Sequence, residues 1–111
     1  MKITAELFKR DLQIIEEITS ANGYSYVKTA GMKDEDKILC STPLREWLLL
    51  LNSDSFVQVN RSTIINLAYA RLSGDSIILN SGRTIVISRR RCKSCKKAYV
   101  AYQIRKKMKH M

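Results

Sequence analysis

The segment from Phe56 to Asn66 reads Phe-Val-Gln-Val-Asn-Arg-Ser-Thr-Ile-Ile-Asn. Apolar side chains occupy both halves of this segment at strand-like positions, and its centre is the polar tripeptide Asn60–Ser62. Because β-branched and aromatic residues favour strands while polar clusters favour turns, the pattern predicts two strands joined by a polar turn. The guanidinium of Arg61 then stands between two segments that favour burial, and the rest of the sequence indicates its function.

The charges of this 111-residue chain are distributed unevenly. Residues 1–82 carry nine bases and ten acids, whereas residues 83–111 carry eleven bases and no acid, so the formal net charge of +10 lies at the C-terminal end. Such a segment indicates a polyanionic partner, nucleic acid first and an anionic membrane surface second. A solubilising tail is the alternative. Part of the segment is nevertheless expected to pack, because it contains Tyr99, Val100, Tyr102 and Ile104.

Asn22-Gly23 is the strongest two-residue turn signal in the chain, and apolar residues flank it on both sides. The pair predicts a hairpin over residues 13–27. The first arm, with isoleucines at positions 14, 15 and 18, also fits a helix by spacing, so the sequence leaves that choice open. A polar turn at residues 31–37 and a short strand at residues 38–40 are predicted next.

The clearest predicted helix starts at Pro43. Thr42 fits the N-cap, and proline fits the first helical position, where its missing N–H costs nothing. The polar residues 52–55 are predicted to end the helix. Apolar residues at helical spacing predict one buried face, formed by Leu44, Trp47, Leu48 and Leu51.

Strand signals return after this helix. Residues 76–79 and 84–87 predict a second hairpin around a turn that contains Gly82. Arg89–Arg91 directly follow its second strand, and the residues from there to about Lys109 predict a basic helix. The expected fold is mainly β, with one short internal helix and a basic C-terminal helix, and the length suits a single domain.

Patterns for catalysis or metal binding are scarce. The single histidine, His110, is the penultimate residue, and the chain has no phosphate-binding loop or nucleophile elbow. Cys92 and Cys95 form a Cys-x-x-Cys pair without a second pair at zinc spacing, so structural thiols are expected, although nearby lysines could lower a thiol pKa. The acidic clusters Glu16–Glu17 and Asp34–Asp36 are expected to be solvated. We expect no enzymatic activity, no cofactor and no small-molecule substrate.

The sequence also bears on the compartment. It has no apolar run near the roughly 18 residues of a membrane span, and its first residues lack the apolar region of a secretory signal. Three cysteines are an odd number, which argues against a secreted disulfide framework. We therefore expect a cytoplasmic protein without a membrane partner.

The ordered set of motifs resembles the LytTR DNA-binding domain family. Residues 56–67, a short spacer and residues 77–90 follow the family pattern of a phenylalanine, a polar pair, Arg-Ser, two aliphatics, Asn-Leu, a glycine turn and Ser-Arg-Arg. Residues 15–24 resemble its strand, turn and tyrosine. The resemblance covers about residues 13–95 in the right order. It predicts one domain over residues 1–111, with that core and a basic helical tail at residues 92–109.

The resemblance implies an elongated, mainly β fold whose loops, rather than a recognition helix, enter successive major grooves. The family's DNA-contacting positions fall on three turns and a helix start, which here carry Asn22 and Tyr24, Asn60 and Arg61, Arg89 and Arg90, and Lys93.

The sequence departs from the family in three places. The segment before Gln13 is short, so the N-terminal strand is expected to be missing or to be replaced by a helix over Ala5–Leu12. Asn60 stands where the family often has histidine, which leaves its base preference open. The receiver or membrane domain that is usual in the family is absent from these residues, so a stand-alone regulator or an excised domain is expected.

The expected function is sequence-specific binding of double-stranded DNA by a bacterial transcriptional regulator, with promoter repeats and a weak or DNA-induced homodimer as partners. A first alternative is a basic β module for RNA or single strands, in which Tyr24, Tyr26 and Phe56 would stack on bases. A second alternative is an interaction module whose basic helix docks an acidic protein.

Overall fold

The computed structural model describes residues 3–51 and 54–109. In these residues, eight strands form two antiparallel sheets, and the molecule is elongated, measuring 43 × 32 × 26 Å. The fold is mainly β, as predicted. The first five strands are β1 (Ile15–Ala21), β2 (Tyr24–Thr29), β3 (Ile38–Cys40), β4 (Phe56–Asn60) and β5 (Thr63–Asn66). They form sheet A in the order β3-β2-β1-β5-β4.

Sheet B contains the remaining strands, β6 (Ala70–Ser73), β7 (Ser76–Leu79) and β8 (Thr84–Val86), in sequential order. The two α-helices are α1 (Leu44–Leu50) and α2 (Cys92–Met108). Short 3-10 helices span Ala5–Phe8, Leu12–Ile14, Asp34–Asp36, Leu67–Tyr69 and Arg89–Arg91.

The first hairpin forms around the predicted turn. Asn22 and Gly23 both have left-handed backbone angles, with φ of 48° and 84°. Two successive positive φ values are what a two-residue turn needs to match the twist of its strands, and asparagine and glycine accept them at least cost. The arm before the turn is β1, so the strand interpretation of this segment is confirmed and the helical one is wrong.

Sheet A separates two apolar cores. Ile18 and Ile64 pack with Trp47 in the first core, beneath α1. Val59 and Ile65 pack in the second core, against sheet B and α2. Neighbouring residues such as Ile64 and Ile65 point to opposite faces of a strand, so burial of both means that sheet A is covered on both sides.

The start of α1 differs from the prediction. Pro43 is the N-cap residue, with φ −72° and ψ 160°, and its carbonyl accepts hydrogen bonds from the backbone N–H groups of Glu46 and Trp47. Thr42 does not cap the helix, because its Oγ1 accepts a hydrogen bond of 2.8 Å from the backbone N–H of Ala5. The threonine therefore ties the N-terminal segment to the first core.

The buried face of α1 is narrower than predicted. Leu44, Trp47 and Leu51 are buried, but Leu48 is 45% exposed, so its assignment to the core is wrong. A helix that ends at Leu50 contacts the sheet along one short row of side chains. Of the predicted helix end at residues 52–55, Asn52 and Ser53 lie outside the described residues.

The N-terminal segment belongs to the first core without forming the expected continuous helix. Two 3-10 turns, Ala5–Phe8 and Leu12–Ile14, replace the helix expected over residues 5–12. Ala5 and Phe8 are each 5% exposed, and the Phe8 ring lies 5.9 Å from the Trp47 ring, between centroids.

The basic helix α2 packs against the second core. Cys95 is buried there, with Tyr99 and Tyr102 packed beside it, whereas Val100 and Ile104 are more than half exposed. The prediction that part of the segment packs is therefore confirmed, and the two tyrosines are among the residues that pack.

Two acids expected to be solvated are buried between the sheets. Glu16 and Glu17 are each 2% exposed, and Glu16 is the extra residue of a bulge in the pairing of β1 with β2. Arg83 Nη1 lies 3.2 Å from Glu17 Oε2, but neither Glu17 oxygen accepts a hydrogen bond from the described residues. Burial raises the pKa of Glu17, and the charges of Arg83 and Lys28 offset this only in part.

Replacing Glu17 by glutamine should change how stability depends on pH. A carboxyl whose pKa is higher in the folded chain binds its proton more tightly there, so its contribution to stability is lost as pH rises from its ordinary pKa through the raised one. Urea unfolding between about pH 4 and pH 7 should therefore show a shallower fall for Glu17→Gln than for the unmodified chain. The exposed Glu35→Gln is the control, and equal slopes for all three proteins would contradict the burial account.

Candidate nucleic-acid interface

Two of the predicted DNA-contacting turns lie side by side at one end of sheet A. Strand β1 runs between β2 and β5, and Thr19 in β1 pairs with Thr63 in β5. Beyond that pair, the backbone N–H of Ser20 donates a hydrogen bond of 2.8 Å to the carbonyl of Ser62. The end of β1 that leads into Asn22 is thus joined to the turn that contains Arg61.

The third predicted turn reaches the same end through β4. The backbone N–H of Ser88 donates a hydrogen bond of 2.9 Å to the carbonyl of Val59, the residue before Asn60. Arg89 and Arg90 follow Ser88 directly. We refer to the surface formed by residues 22–24, 60–62 and 88–93 as the turn end.

The turn at residues 60–62 is held by its own side chains. Asn60 Oδ1 accepts hydrogen bonds from the backbone N–H of Ser62, at 2.9 Å, and from Ser62 Oγ, at 3.2 Å. Gln58 Nε2 donates to the carbonyl of Arg61 at 3.3 Å. Asparagine commonly stabilises turns in this way, by bonding to the backbone two residues on. The amide oxygen of Asn60 is therefore occupied, and the turn fixes the backbone of Arg61.

The Arg61 side chain extends from this fixed turn into solvent. Within residues 3–51 and 54–109, its guanidinium has no ion pair or hydrogen bond. A guanidinium presents five donors in a planar fork that matches a phosphate or a guanine edge. Arg61 thus combines a rigid backbone with an uncommitted binding group.

Arg89 and Arg90 are exposed on a 3-10 turn that continues into α2, and Lys93 is exposed in the first turn of that helix. The first turn of α2 contains no acid, although acids are favoured there by the partial positive charge of a helix N-terminus. Cations at this position raise the local positive potential further, so this part of the turn end is suited to bind an anion. The half-buried Arg91 belongs to the same turn, although the family resemblance did not identify it as a DNA-contacting position.

Other cations are neutralised within the fold. Arg83 pairs with Glu17, and Arg105 donates a hydrogen bond of 2.7 Å to the backbone carbonyl of Asp54. Lys96 Nζ lies 2.7 Å from Asp75 Oδ1, and this hydrogen bond raises the pKa of Lys96 and lowers that of Asp75. The C-terminal charge is thus divided between three cations with partners in the fold and others that have no ion pair among the described residues. The second group includes cations of the turn end and lysines farther along α2, and no sequence pattern shows this division.

The two thiols of the Cys-x-x-Cys pair bond to the fold. Cys92 Sγ donates to Asp75 Oδ1 at 3.3 Å, and the buried Cys95 Sγ donates to the carbonyl of Gln58 at 3.4 Å. The hydrogen bond to Asp75 raises the pKa of Cys92, and burial raises the pKa of Cys95. The lowering effect of nearby lysines, considered from the sequence, does not dominate. In the part of the chain that the structure describes, no three histidine, cysteine or acidic side chains are grouped to hold a metal ion.

The aromatic residues proposed for base stacking are mostly engaged elsewhere. Phe56 is buried in the first core, and the Tyr26 ring is covered by Lys37 Nζ, 4.7 Å from its centroid. Tyr24 is 42% exposed at the start of β2. A surface that binds single strands generally offers several stacking side chains along its groove, whereas one of these three is available here.

A two-sheet β domain that presents cationic turns at one end is suited to bind a polyanion. The family model for the LytTr DNA-binding domain matches residues 5–99, so the chain belongs to this family, whose members are DNA-binding domains rather than enzymes. DNA binding is therefore the function of the domain at the level that the family defines.

The fold is also similar to a solved structure, the LytTr DNA-binding domain of a Bacillus cereus protein. The superposition has a TM-score of 0.63 at 18% sequence identity and covers 78% of this chain and 81% of the other. A comparison with curated proteins gives no significant match. No helix within residues 3–51 and 54–109 is both long and apolar enough to cross a membrane.

Proposed function

We propose that the turn end binds double-stranded DNA sequence-specifically, as the DNA-binding domain of a cytoplasmic bacterial transcriptional regulator. The observation that carries this proposal is the hydrogen-bonded convergence of three turns that expose Arg61, Arg89 and Arg90, whose guanidinium groups form no ion pair with any described residue. In this proposal the whole chain, residues 1–111, acts as one domain without catalytic activity.

Arg61 is the principal base-contacting residue in this proposal. Its turn projects from the end of a sheet that is buried on both faces, so the turn can enter a major groove while the sheet remains outside. A bidentate contact to guanine O6 and N7 is the commonest specific contact that arginine makes. Asn60 supports the turn through Oδ1 and retains its amide N–H groups for a contact to a base or to a phosphate.

The other two parts of the turn end flank Arg61. We assign Asn22 and Tyr24 to one side, where the β1–β2 turn exposes both side chains. On the other side, Arg89 and Arg90 contact a neighbouring groove or its phosphates, and Lys93 contacts a phosphate. Promoter repeats that present the same half-site twice are the proposed target, and a weak or DNA-induced dimer would bind them.

A competition assay distinguishes this function from its alternatives. With a labelled duplex that carries a selected site, unlabelled duplex of the same sequence should compete strongly, and single-stranded RNA or DNA of equal length should compete weakly. Affinity should also fall steeply as salt rises, because binding to phosphates releases counterions. Equal competition by single strands would favour the stacking module, and binding that is absent or insensitive to salt would favour the acidic-protein partner.

A further inference from the structure

A group of exposed leucines lies on the face of the molecule opposite sheet B. Leu49 on α1 is 87% exposed, and its helix neighbours Leu48 and Leu50 are 45% and 47% exposed. Leu7, on the adjoining 3-10 helix, is 65% exposed. Single exposed leucines need no explanation, but clustered ones on two neighbouring elements indicate an interaction surface.

The same surface contains a groove between α1 and the N-terminal segment. Two adjoining depressions, of about 320 and 260 Å³, share Ala5, Glu6 and Leu50 as lining residues. Their volumes are at or below the lower end of the roughly 300–1,000 Å³ that is usual for small-molecule sites. Each depression is therefore of a size for a protein side chain, and the exposed Leu49 lines the larger one.

The charges around the groove have both signs. Glu6 and Glu46 line it together with Lys9, and the exposed Arg45 is adjacent on α1. Residues 1–51 carry seven bases and eight acids, a net charge of −1, whereas residues 52–111 carry thirteen bases and two acids, a net charge of +11. The groove thus lies on the half of the chain where two copies can meet without strong repulsion between like charges.

A second apolar surface, on α2, is less suited to contact between two copies. Val100, Ile104 and Met108 are exposed along the outer side of α2, at 53%, 54% and 66%. The helix carries five lysines, one arginine and no acid, so two copies that met there would bring like charges together. Like charges that face each other across an interface disfavour association.

We propose that the groove between α1 and the N-terminal segment is a self-association surface, in which Leu49 of each copy inserts into the groove of the other. A two-fold interface requires one patch to be complementary to itself, and this patch carries a projecting side chain, a receptive groove and balanced charges together. The contact is small, so it forms a weak dimer in the concentration range above a micromolar. It does not depend on DNA and is measured without it.

Sedimentation equilibrium of the DNA-free chain, from about 1 µM to 1 mM in about 0.3 M salt, tests the proposal. The unmodified chain should show a concentration-dependent dimer. Leu49→Glu should raise the dimer dissociation constant at least tenfold, and Leu49→Ser should weaken the dimer without adding charge. Val86→Glu is the matched control, because Val86 is 70% exposed on sheet B, away from the groove.

Circular dichroism first confirms that the variants fold. A dimer that Leu49→Glu and Leu49→Ser weaken and Val86→Glu preserves supports the surface. A chain that stays monomeric to 1 mM, or a dimer that persists in Leu49→Glu, would overturn it, and the groove would then serve a different protein segment. Neither result bears on duplex binding by the turn end, because the assay contains no DNA.

Discussion

Arg61→Ala should weaken binding to the cognate duplex by about 1–3 kcal/mol, which is roughly a 5- to 150-fold rise in the dissociation constant. The expected loss is large because a bidentate contact to a base is removed, and the alanine backbone still accepts the hydrogen bond from Gln58. The turn should therefore keep its shape, and the loss should be much smaller on a non-specific duplex. Fluorescence anisotropy on both duplexes at one salt concentration measures the difference.

Two further variants make this result specific. Arg61→Lys keeps the charge and loses the planar fork, so it should keep non-specific affinity and lose most of the preference for the cognate site. Arg10→Ala removes an equal charge from an exposed position in the segment before β1, outside the turn end, and should have little effect on either duplex. If Arg61→Ala binds each duplex with the same affinity as Arg10→Ala, Arg61 does not contact bases.

The double variant Arg89→Ala, Arg90→Ala should have the larger effect, about 2–6 kcal/mol on the cognate duplex, because two base or phosphate contacts are lost. The salt dependence distinguishes the two kinds of contact. If both arginines bind phosphates, the slope of log affinity against log salt should become shallower by about 0.9 for each residue. If both bind bases, the slope should change less and discrimination between duplexes should fall.

Lys106→Ala, Lys107→Ala is the matched control for this double variant, since it removes the same charge from the exposed C-terminal part of α2. We expect a smaller loss, equal on all sequences. An equal loss from both double variants would mean that the turn end contributes only through net charge.

The hairpins and the turn at residues 60–62 could be predicted because their signals are local. Asn22-Gly23 specifies a turn by its own backbone preferences, and the alternation around Arg61 specifies two strands whatever the rest of the chain does. The helix after Arg89–Arg91 could also be predicted from its own residues. No single motif identifies the family, but the order of the motifs along the chain resembles that of the LytTR DNA-binding domain.

The features that could not be predicted depend on contacts between distant residues. Thr42 has a side chain that often caps helices, but its Oγ1 accepts a hydrogen bond from the backbone N–H of Ala5, 37 residues away. Leu48 fits a helical stripe, but it lies outside the row of Leu44, Trp47 and Leu51 that packs in the first core. The sequence predicts Glu17 to be a surface acid, but the fold buries it and places Arg83 beside it. In each case tertiary packing decides between options that local preference leaves close in energy.

The division of charge between the fold and the turn end has the same origin. The sequence shows eleven bases after position 82. It cannot show that Lys96 bonds to Asp75 while Arg89 and Arg90 have no ion pair in the described part of the chain. That division depends on how the turn before β7 approaches α2.

Selection of bound sequences from a random duplex pool, carried out in parallel with the unmodified chain and Arg61→Ala, tests the central claim most directly. We predict that the unmodified chain enriches a defined motif and that Arg61→Ala loses preference at one or two adjacent base pairs of it while keeping the rest. Identical motifs from the two proteins, or no enriched motif from the unmodified chain, would contradict sequence recognition by the turn end.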